Sequence, residues 1–143
     1  MENTHEAAKK IVEMIRPDLG KQAIILALSG PLGAGKTAMT KVIALELGIT
    51  EDVTSPTYVL HVPYKLKMDN GQWTIDLNHL DVWRLETWDE VERLGLQKMI
   101  DDKSLIIIEW ADKFEKEIKE LGNIKLIWVK IEYDGEERKI EIK

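Results

Sequence analysis

A glycine-rich segment directly after an apolar run constrains the fold of this chain more than any other feature. Residues 23–28 read AIILAL, which predicts a strand buried on both faces of a parallel sheet. The next segment matches the pattern glycine, four residues, glycine, lysine, then serine or threonine, at Gly30, Gly35, Lys36 and Thr37. A helical pattern follows it. A strand, this segment and a helix in succession predict a phosphate-binding loop.

The spacing of this segment has a physical cause. Glycines let several backbone N–H groups point at phosphate oxygens, and the positive end of the following helix dipole adds to their field. Lys36 is placed to reach the β- and γ-phosphates, and the Thr37 hydroxyl can occupy one coordination position of Mg²⁺. We therefore expect ATP to bind here as substrate together with Mg²⁺. The competing interpretation is a chance glycine-rich turn.

A phosphate loop needs an acidic group near the metal, and two strand ends offer one. Glu109 directly follows the apolar residues 105–108 and would emerge at the same sheet edge as the loop if the strands are parallel. Asp81 ends another hydrophobic segment, and spacing alone does not separate the two. For Asp81 we favour holding metal-bound water or orienting the attacking water. The alternatives are a solvated carboxylate at a strand end and a turn aspartate.

The remaining patterns predict an α/β fold, a single P-loop NTPase domain over residues 1–143. Its sheet is expected to be mixed and mostly parallel, flanked by helices, with antiparallel hairpins. Thr87 with Glu90 forms a candidate capping box before a helix that contains Gly95. The predicted strands are 23–28, 58–64, 73–81, 105–108, 124–133 and a return through 142, and the predicted helices are 7–15, 38–47, 87–100 and 112–121.

Composition limits the classes of partner. The net charge of −6 disfavours autonomous binding of RNA or DNA, because such proteins usually carry a basic surface. The absence of cysteine excludes disulfides and thiolate metal sites. No segment has the length and apolarity of a signal peptide or a membrane span, so we expect a cytoplasmic protein without membrane contact.

Four segments together resemble one family. Residues 30–37 (GPLGAGKT), 55–58 (SPTY), 80–85 (LDVWRL) and 108–110 (IEW) occur in the order seen in TsaE, formerly YjeE, and the resemblance covers nearly the whole chain. Three of the four are not general features of phosphate loops. TsaE is the ATPase subunit of the bacterial machinery that makes tRNA threonylcarbamoyladenosine. Trp83 stands where the family usually has tyrosine, so no site role is assigned to it.

The resemblance implies a set of site residues and partners. It implies that Thr37 and Glu109 bind Mg²⁺ and that Asp81, Lys36 and Glu109 serve catalysis. It also implies an ATPase that is weak alone and activated by the TsaD and TsaB proteins, with tRNA contacted only through that complex. The implied nucleotide-binding residues are Gly33, Ala34, Gly35, Lys36, Thr37, Ala38, Trp110 and Asp112.

Several alternatives stay open. A small-molecule kinase would share the phosphate loop but usually needs an arginine-bearing lid, and the chain has four arginines. A nucleotide-dependent binding module without useful hydrolysis is the other rival. Residues 55–57 are a candidate switch that senses the γ-phosphate, or a rigid proline turn. Arg84 is a candidate for assisting hydrolysis, and His61 and His79 are expected to be surface or packing residues.

Overall fold

Two strands that are buried at every position form the centre of a sheet. They are β1 (Ala23–Ser29) and β4 (Ser104–Glu109), and they pair in parallel. The computed structural model describes residues 4–30, 36–48, 61–68, 73–134 and 137–143. Apolar side chains on both faces of these strands explain why the sheet carries helices on each side.

Four further strands extend the sheet in the order β2-β3-β4-β1-β5-β6. The inner pairs β3–β4, β4–β1 and β1–β5 are parallel, whereas the edge pairs β2–β3 and β5–β6 are antiparallel. The predicted mixed, mostly parallel sheet with antiparallel hairpins is confirmed. The added strands are β2 (His61–Met68), β3 (Trp73–Asp81), β5 (Ile124–Asp134) and β6 (Glu137–Ile142).

Helices cover both faces of the sheet. On one face, α1 (Thr4–Ile15) and α2 (Lys36–Glu46) pack against the side chains of Leu26, Leu28 and Ile107. On the other face lie α3 (Trp88–Arg93), α4 (Leu96–Met99) and α5 (Glu115–Lys119). The described residues also include 3₁₀ turns at Arg16–Asp18 and Ala111–Phe114. No helix in the described ranges is long and apolar enough to cross a membrane.

The continuous helix predicted over 87–100 is wrong. It begins as expected, because the Thr87 side chain accepts a hydrogen bond from the Glu90 N–H and the Glu90 carboxylate accepts one from the Thr87 N–H. Gly95 then has φ +94, a left-handed conformation that glycine adopts readily, and it separates α3 from α4.

The helix predicted over 112–121 is also wrong in its extent. The chain turns at Trp110, which has φ 63, and makes a 3₁₀ turn before α5. The strand predicted over 58–64 continues further than expected, to Met68, and its described part begins at His61, since residues 58–60 lie outside the described ranges.

Candidate nucleotide-binding site

The carboxyl ends of three neighbouring strands meet at one edge of the sheet. Glu109, the last residue of β4, pairs with Leu28 of β1 on one side and with Asp81 of β3 on the other. Parallel pairing therefore brings both predicted acids to the edge from which β1 leads through Gly30 toward α2. In parallel α/β sheets, this edge receives ligands.

Lys36, the first residue of α2, lies buried at this edge. Its Nζ donates a hydrogen bond to the Gly30 carbonyl oxygen at 2.8 Å and lies 4.0 Å from the centre of the Trp110 ring. Burial lowers the pKa of Lys36, and the carboxylates of Glu109, Asp112 and Asp81 oppose that shift. One cation thus stands in the field of three carboxylates.

Asp81 is buried and held by the backbone. Its Oδ1 accepts a hydrogen bond of 2.9 Å from the N–H of Trp83, in the turn that follows β3. Burial raises the pKa of Asp81, the Trp83 N–H opposes that shift, and the neighbouring Glu109 raises the pKa further. The local turn fixes the direction of this carboxylate.

Glu109 is held by a side chain. It is 3% exposed, and its Oε2 lies 2.5 Å from Nε2 of His79, whose side chain is 0% exposed. His79 was expected to be a surface or packing residue; the surface alternative is wrong, and its contact with Glu109 was not foreseen. The available signal was its place two residues before Asp81, since alternate residues of a strand share a face.

Two neighbouring tryptophans lie at this edge of the sheet. The Trp110 ring, above Lys36, lies 6.3 Å from the ring of Trp83, centre to centre. Trp83 is 45% exposed, and its carbonyl oxygen accepts a hydrogen bond of 2.5 Å from Lys113. The guanidinium of Arg84, an exposed residue, lies 5.9 Å from the Trp83 ring centre. Sequence patterns assigned Trp83 no site role.

Other predicted site residues fall partly outside the described residues. Gly33, Ala34 and Gly35 lie outside, as do residues 55–57 of the candidate switch. The Thr37 backbone belongs to α2, but its side chain is not among the described groups. Ala38 is exposed in the first turn of α2, and Asp112 is exposed in the 3₁₀ turn after Trp110. The described edge thus brings together Lys36, Asp81, Glu109, Trp110 and Asp112.

The order of elements at this edge is that of the P-loop class of nucleoside triphosphate-binding folds. A buried central strand passes through a glycine-rich segment into a helix that begins with Lys36, and a neighbouring parallel strand ends in Glu109.

Comparison with known proteins identifies the family within that class. A family model described as "Threonylcarbamoyl adenosine biosynthesis protein TsaE" matches residues 1–140, and the chain belongs to this family. The chain is 36% identical over 109 residues to the tRNA threonylcarbamoyladenosine biosynthesis protein TsaE of Bacillus subtilis, a match that covers 76% of this chain and 64% of the relative. With the Haemophilus influenzae protein of the same name it is 32% identical over 134 residues, which are 94% of this chain and 78% of the relative.

A solved structure shows the same fold. The crystal structure of Bacillus subtilis YdiB superposes with a TM-score of 0.63 at 29% sequence identity, over 99% of this chain and 79% of that chain. The chain matches only part of the length of each of these relatives, 64% of the Bacillus subtilis protein and 78% of the Haemophilus influenzae protein.

Proposed function

We propose that this protein is a Mg²⁺-dependent ATPase that supports N6-threonylcarbamoyladenosine formation in tRNA, at the adenosine next to the anticodon. Family membership supports the pathway, because the relatives carry that biosynthesis in their names. The observation that carries the ATPase assignment is a buried lysine at the start of α2, facing buried carboxylates at the end of β3 and β4. We place the protein in the cytoplasm, as one domain.

Charge at the site favours a nucleotide that brings a divalent cation. Lys36 faces three carboxylates, Glu109, Asp112 and Asp81, so the described groups carry an excess of negative charge. Such a field repels a bare triphosphate and attracts Mg²⁺. When bound, Mg²⁺ would neutralise charge on the β- and γ-phosphates.

The residues present fit such an ion. Mg²⁺ prefers oxygen ligands and usually takes one or two from the protein, the rest coming from phosphates and water. Glu109 supplies a buried carboxylate at the sheet edge, and the sequence pattern assigns the Thr37 hydroxyl as its companion. Within the described residues, no three histidine, aspartate and glutamate side chains cluster closely enough to hold a metal alone, so phosphate oxygens would complete the coordination.

Lys36 has a defined task in this proposal. Its ammonium group is desolvated and held by the Gly30 carbonyl oxygen, a neutral acceptor. An anionic phosphate oxygen is a stronger partner for a charged donor, so nucleotide binding would draw Nζ away from Gly30. Residues 33–38, with Trp110 and Asp112, would surround the phosphates and the nucleoside.

Asp81 would orient the attacking water. Its carboxylate lies at the same edge as Glu109 and is oriented by a backbone donor, the Trp83 N–H. The rise in its pKa on burial favours proton acceptance, which suits a group that polarises water.

Arg84 would add positive charge to the transition state. It is exposed and lies near the Trp83 ring, so a docked partner could contact it. We therefore propose slow hydrolysis by the isolated chain and stimulation by TsaD and TsaB. The net charge of −6 supports contact with tRNA only through those partners, and no binding to DNA.

The deciding experiment measures phosphate release and binding of a non-hydrolysable ATP analogue, with and without TsaD and TsaB. Lys36→Ala and Glu109→Ala should each lower stimulated turnover by roughly 10²-fold or more, the range found when electrostatic stabilisation is removed. Lys98→Ala, at an exposed residue of α4, is the matched control and should behave as wild type. Absence of Mg²⁺-dependent nucleotide binding by the wild-type chain would overturn the proposal. Transfer of phosphate to a metabolite, without phosphate release, would favour a kinase instead.

A further inference from the structure

A buried histidine lies directly behind the proposed metal ligand. His79 is on β3, where it pairs with Ile107 of β4, and its ring reaches diagonally to Glu109 two residues further on. The two side chains are 0% and 3% exposed, so water does not compete for this contact. Neither the motifs nor the family resemblance assigned His79 a role at the site.

The chemistry of the pair fixes the direction of the hydrogen bond. An ionised carboxylate only accepts, so Nε2–H of His79 donates to Oε2 of Glu109. The other ring nitrogen, Nδ1, is buried and has no hydrogen-bond partner among the described residues. A ring that carries its proton on Nε2 makes the side-chain hydrogen bond that the described residues offer it, to Glu109.

This hydrogen bond restricts the carboxylate that faces the nucleotide. A glutamate side chain has three rotatable bonds, and its terminal torsion is broad. A donor on one oxygen fixes the carboxyl plane and, in known metal sites, such outer hydrogen bonds orient the ligand and tune its affinity. A purely structural pair would stabilise the fold without affecting metal affinity.

We propose that His79 is a positioning residue that holds the Glu109 carboxylate in the orientation in which it binds the Mg²⁺ of the nucleotide. The proposal rests on the proposed function, in which Glu109 binds that ion. His79 itself contacts neither metal nor nucleotide; it acts through Glu109.

The dependence of nucleotide affinity on Mg²⁺ tests the proposal. Affinity for a non-hydrolysable ATP analogue is measured in EDTA and across a Mg²⁺ titration, for wild type, His79→Leu and His79→Gln. His79→Leu removes this donor. The Mg²⁺ concentration that gives half of the maximal rise in nucleotide affinity should then increase about 10- to 100-fold, the usual effect of losing a hydrogen bond to a metal ligand. Affinity in EDTA should stay within about twofold of wild type, because the substitution leaves Lys36 in place to bind phosphate. His79→Gln, whose amide N–H lies near the position of Nε2, should recover most of the metal effect.

A control separates loss of metal linkage from loss of a buried hydrogen bond. Ser104 is buried at the opposite end of β4, and its hydroxyl donates to the Asp101 carbonyl oxygen at 2.7 Å. Ser104→Ala should leave the Mg²⁺ dependence unchanged. If it shifts the Mg²⁺ dependence as much as His79→Leu does, the effect is structural and the proposal fails.

Nuclear magnetic resonance provides a second readout that needs no variant at His79. The chain has three histidines, so the ¹⁵N resonances of the imidazole rings are few enough to assign. The His79 ring should carry its proton on Nε2, and Glu109→Ala should shift that resonance strongly. A ring protonated on Nδ1 alone, or no response to Glu109→Ala, would overturn the proposal.

The two proposals fail in different ways. If Glu109→Ala abolishes the Mg²⁺ effect while His79→Leu keeps it, the positioning role is wrong and the proposed function stands. If Glu109→Ala keeps the Mg²⁺ effect, the metal assignment of Glu109 is wrong, and the role of His79 is lost with it.

Discussion

Gly30, at the junction of β1 and the glycine-rich segment, should tolerate no side chain. Its φ of +145° lies in a region that residues with a Cβ rarely adopt. A Cβ built there would overlap the carbonyl oxygen of Ile131 on β5 and lie 3.2 Å from its carbonyl carbon. Because both obstacles are backbone atoms of β5, they cannot rotate away as a flexible side chain would.

Gly30→Ala therefore carries two costs. A residue held in a sparsely populated backbone region costs of order 1–3 kcal/mol. Forcing extra volume between packed elements costs roughly another 1–3 kcal/mol. Together they predict a loss of about 4 kcal/mol, which for a chain of this size lowers Tm by roughly 12–16 °C. Gly30 leads from β1 through the glycine-rich segment to Lys36, so the same distortion should also displace Lys36 and weaken nucleotide binding.

Two other glycines calibrate this prediction. Gly95 has φ +94 but nothing within 4 Å of an added Cβ, so Gly95→Ala should cost only the conformational term, about 1–2 kcal/mol. Gly122 has open space and is not among the glycines of positive φ, so Gly122→Ala should change stability by no more than about 0.5 kcal/mol. Thermal unfolding followed by circular dichroism should show the largest loss of Tm for Gly30→Ala, a smaller loss for Gly95→Ala and the smallest for Gly122→Ala. A Tm for Gly30→Ala within about 3 °C of that for Gly122→Ala would refute the close approach of β1 and β5.

Two further predictions concern buried polar groups beside the site. Burial raises the pKa of Asp81, so the folded state binds its proton more tightly than the unfolded state, and stability falls as pH rises from the ordinary aspartate value of about 3.9 through the raised one. Asp81→Asn should therefore raise Tm at pH 7, and this gain should vanish below about pH 4. Stimulated hydrolysis should fall in the same variant. A Tm equal to that of wild type at pH 7 would contradict the prediction. Ser29 accepts a hydrogen bond of 3.2 Å from Nε1 of buried Trp128. Ser29→Ala leaves that N–H unsatisfied and should cost about 1–3 kcal/mol in denaturant unfolding, and the added cost should be much smaller in a Trp128→Phe background.

The parts of the fold that were predicted from sequence are those set by local patterns. The apolar runs 23–28 and 105–108 predicted β1 and β4, because a strand covered on both faces needs apolar residues at every position. The alternation of apolar and polar residues in 124–133 predicted β5, because successive side chains of a strand point to opposite faces of the sheet. Trp110 shows the limit: nothing in a tryptophan side chain indicates a left-handed backbone, and its φ of 63 reflects the tertiary turn between β4 and α5.

In the candidate site, too, sequence predicted the residues that a local pattern marks and missed one that depends on strand register. Glu109 and Asp81 were found because parallel strands that end in acids bring them to one edge, and their pairing bears this out. His79 was missed because it lies 30 residues from Glu109 in sequence, and only the register of β3 against β4 makes them neighbours. Sequence left the roles of the two acids open. Their different supports, a histidine side chain for Glu109 and a backbone N–H for Asp81, now give each a distinct hypothesis.

The electrostatics of the edge link stability to ligand binding. Burial lowers the pKa of Lys36 and raises the pKa of Asp81, so both charged forms are disfavoured in the folded protein without nucleotide. Neither group stabilises the fold in its charged state. The buried apolar strands β1 and β4 supply the stability that keeps Lys36 and Asp81 at this edge of the sheet. A triphosphate would give Lys36 an anionic partner, and Mg²⁺ would do the same for the carboxylates. A triphosphate alone would leave its negative charges facing the carboxylates, and Mg²⁺ alone would leave its positive charge facing Lys36. We therefore expect the two to bind together.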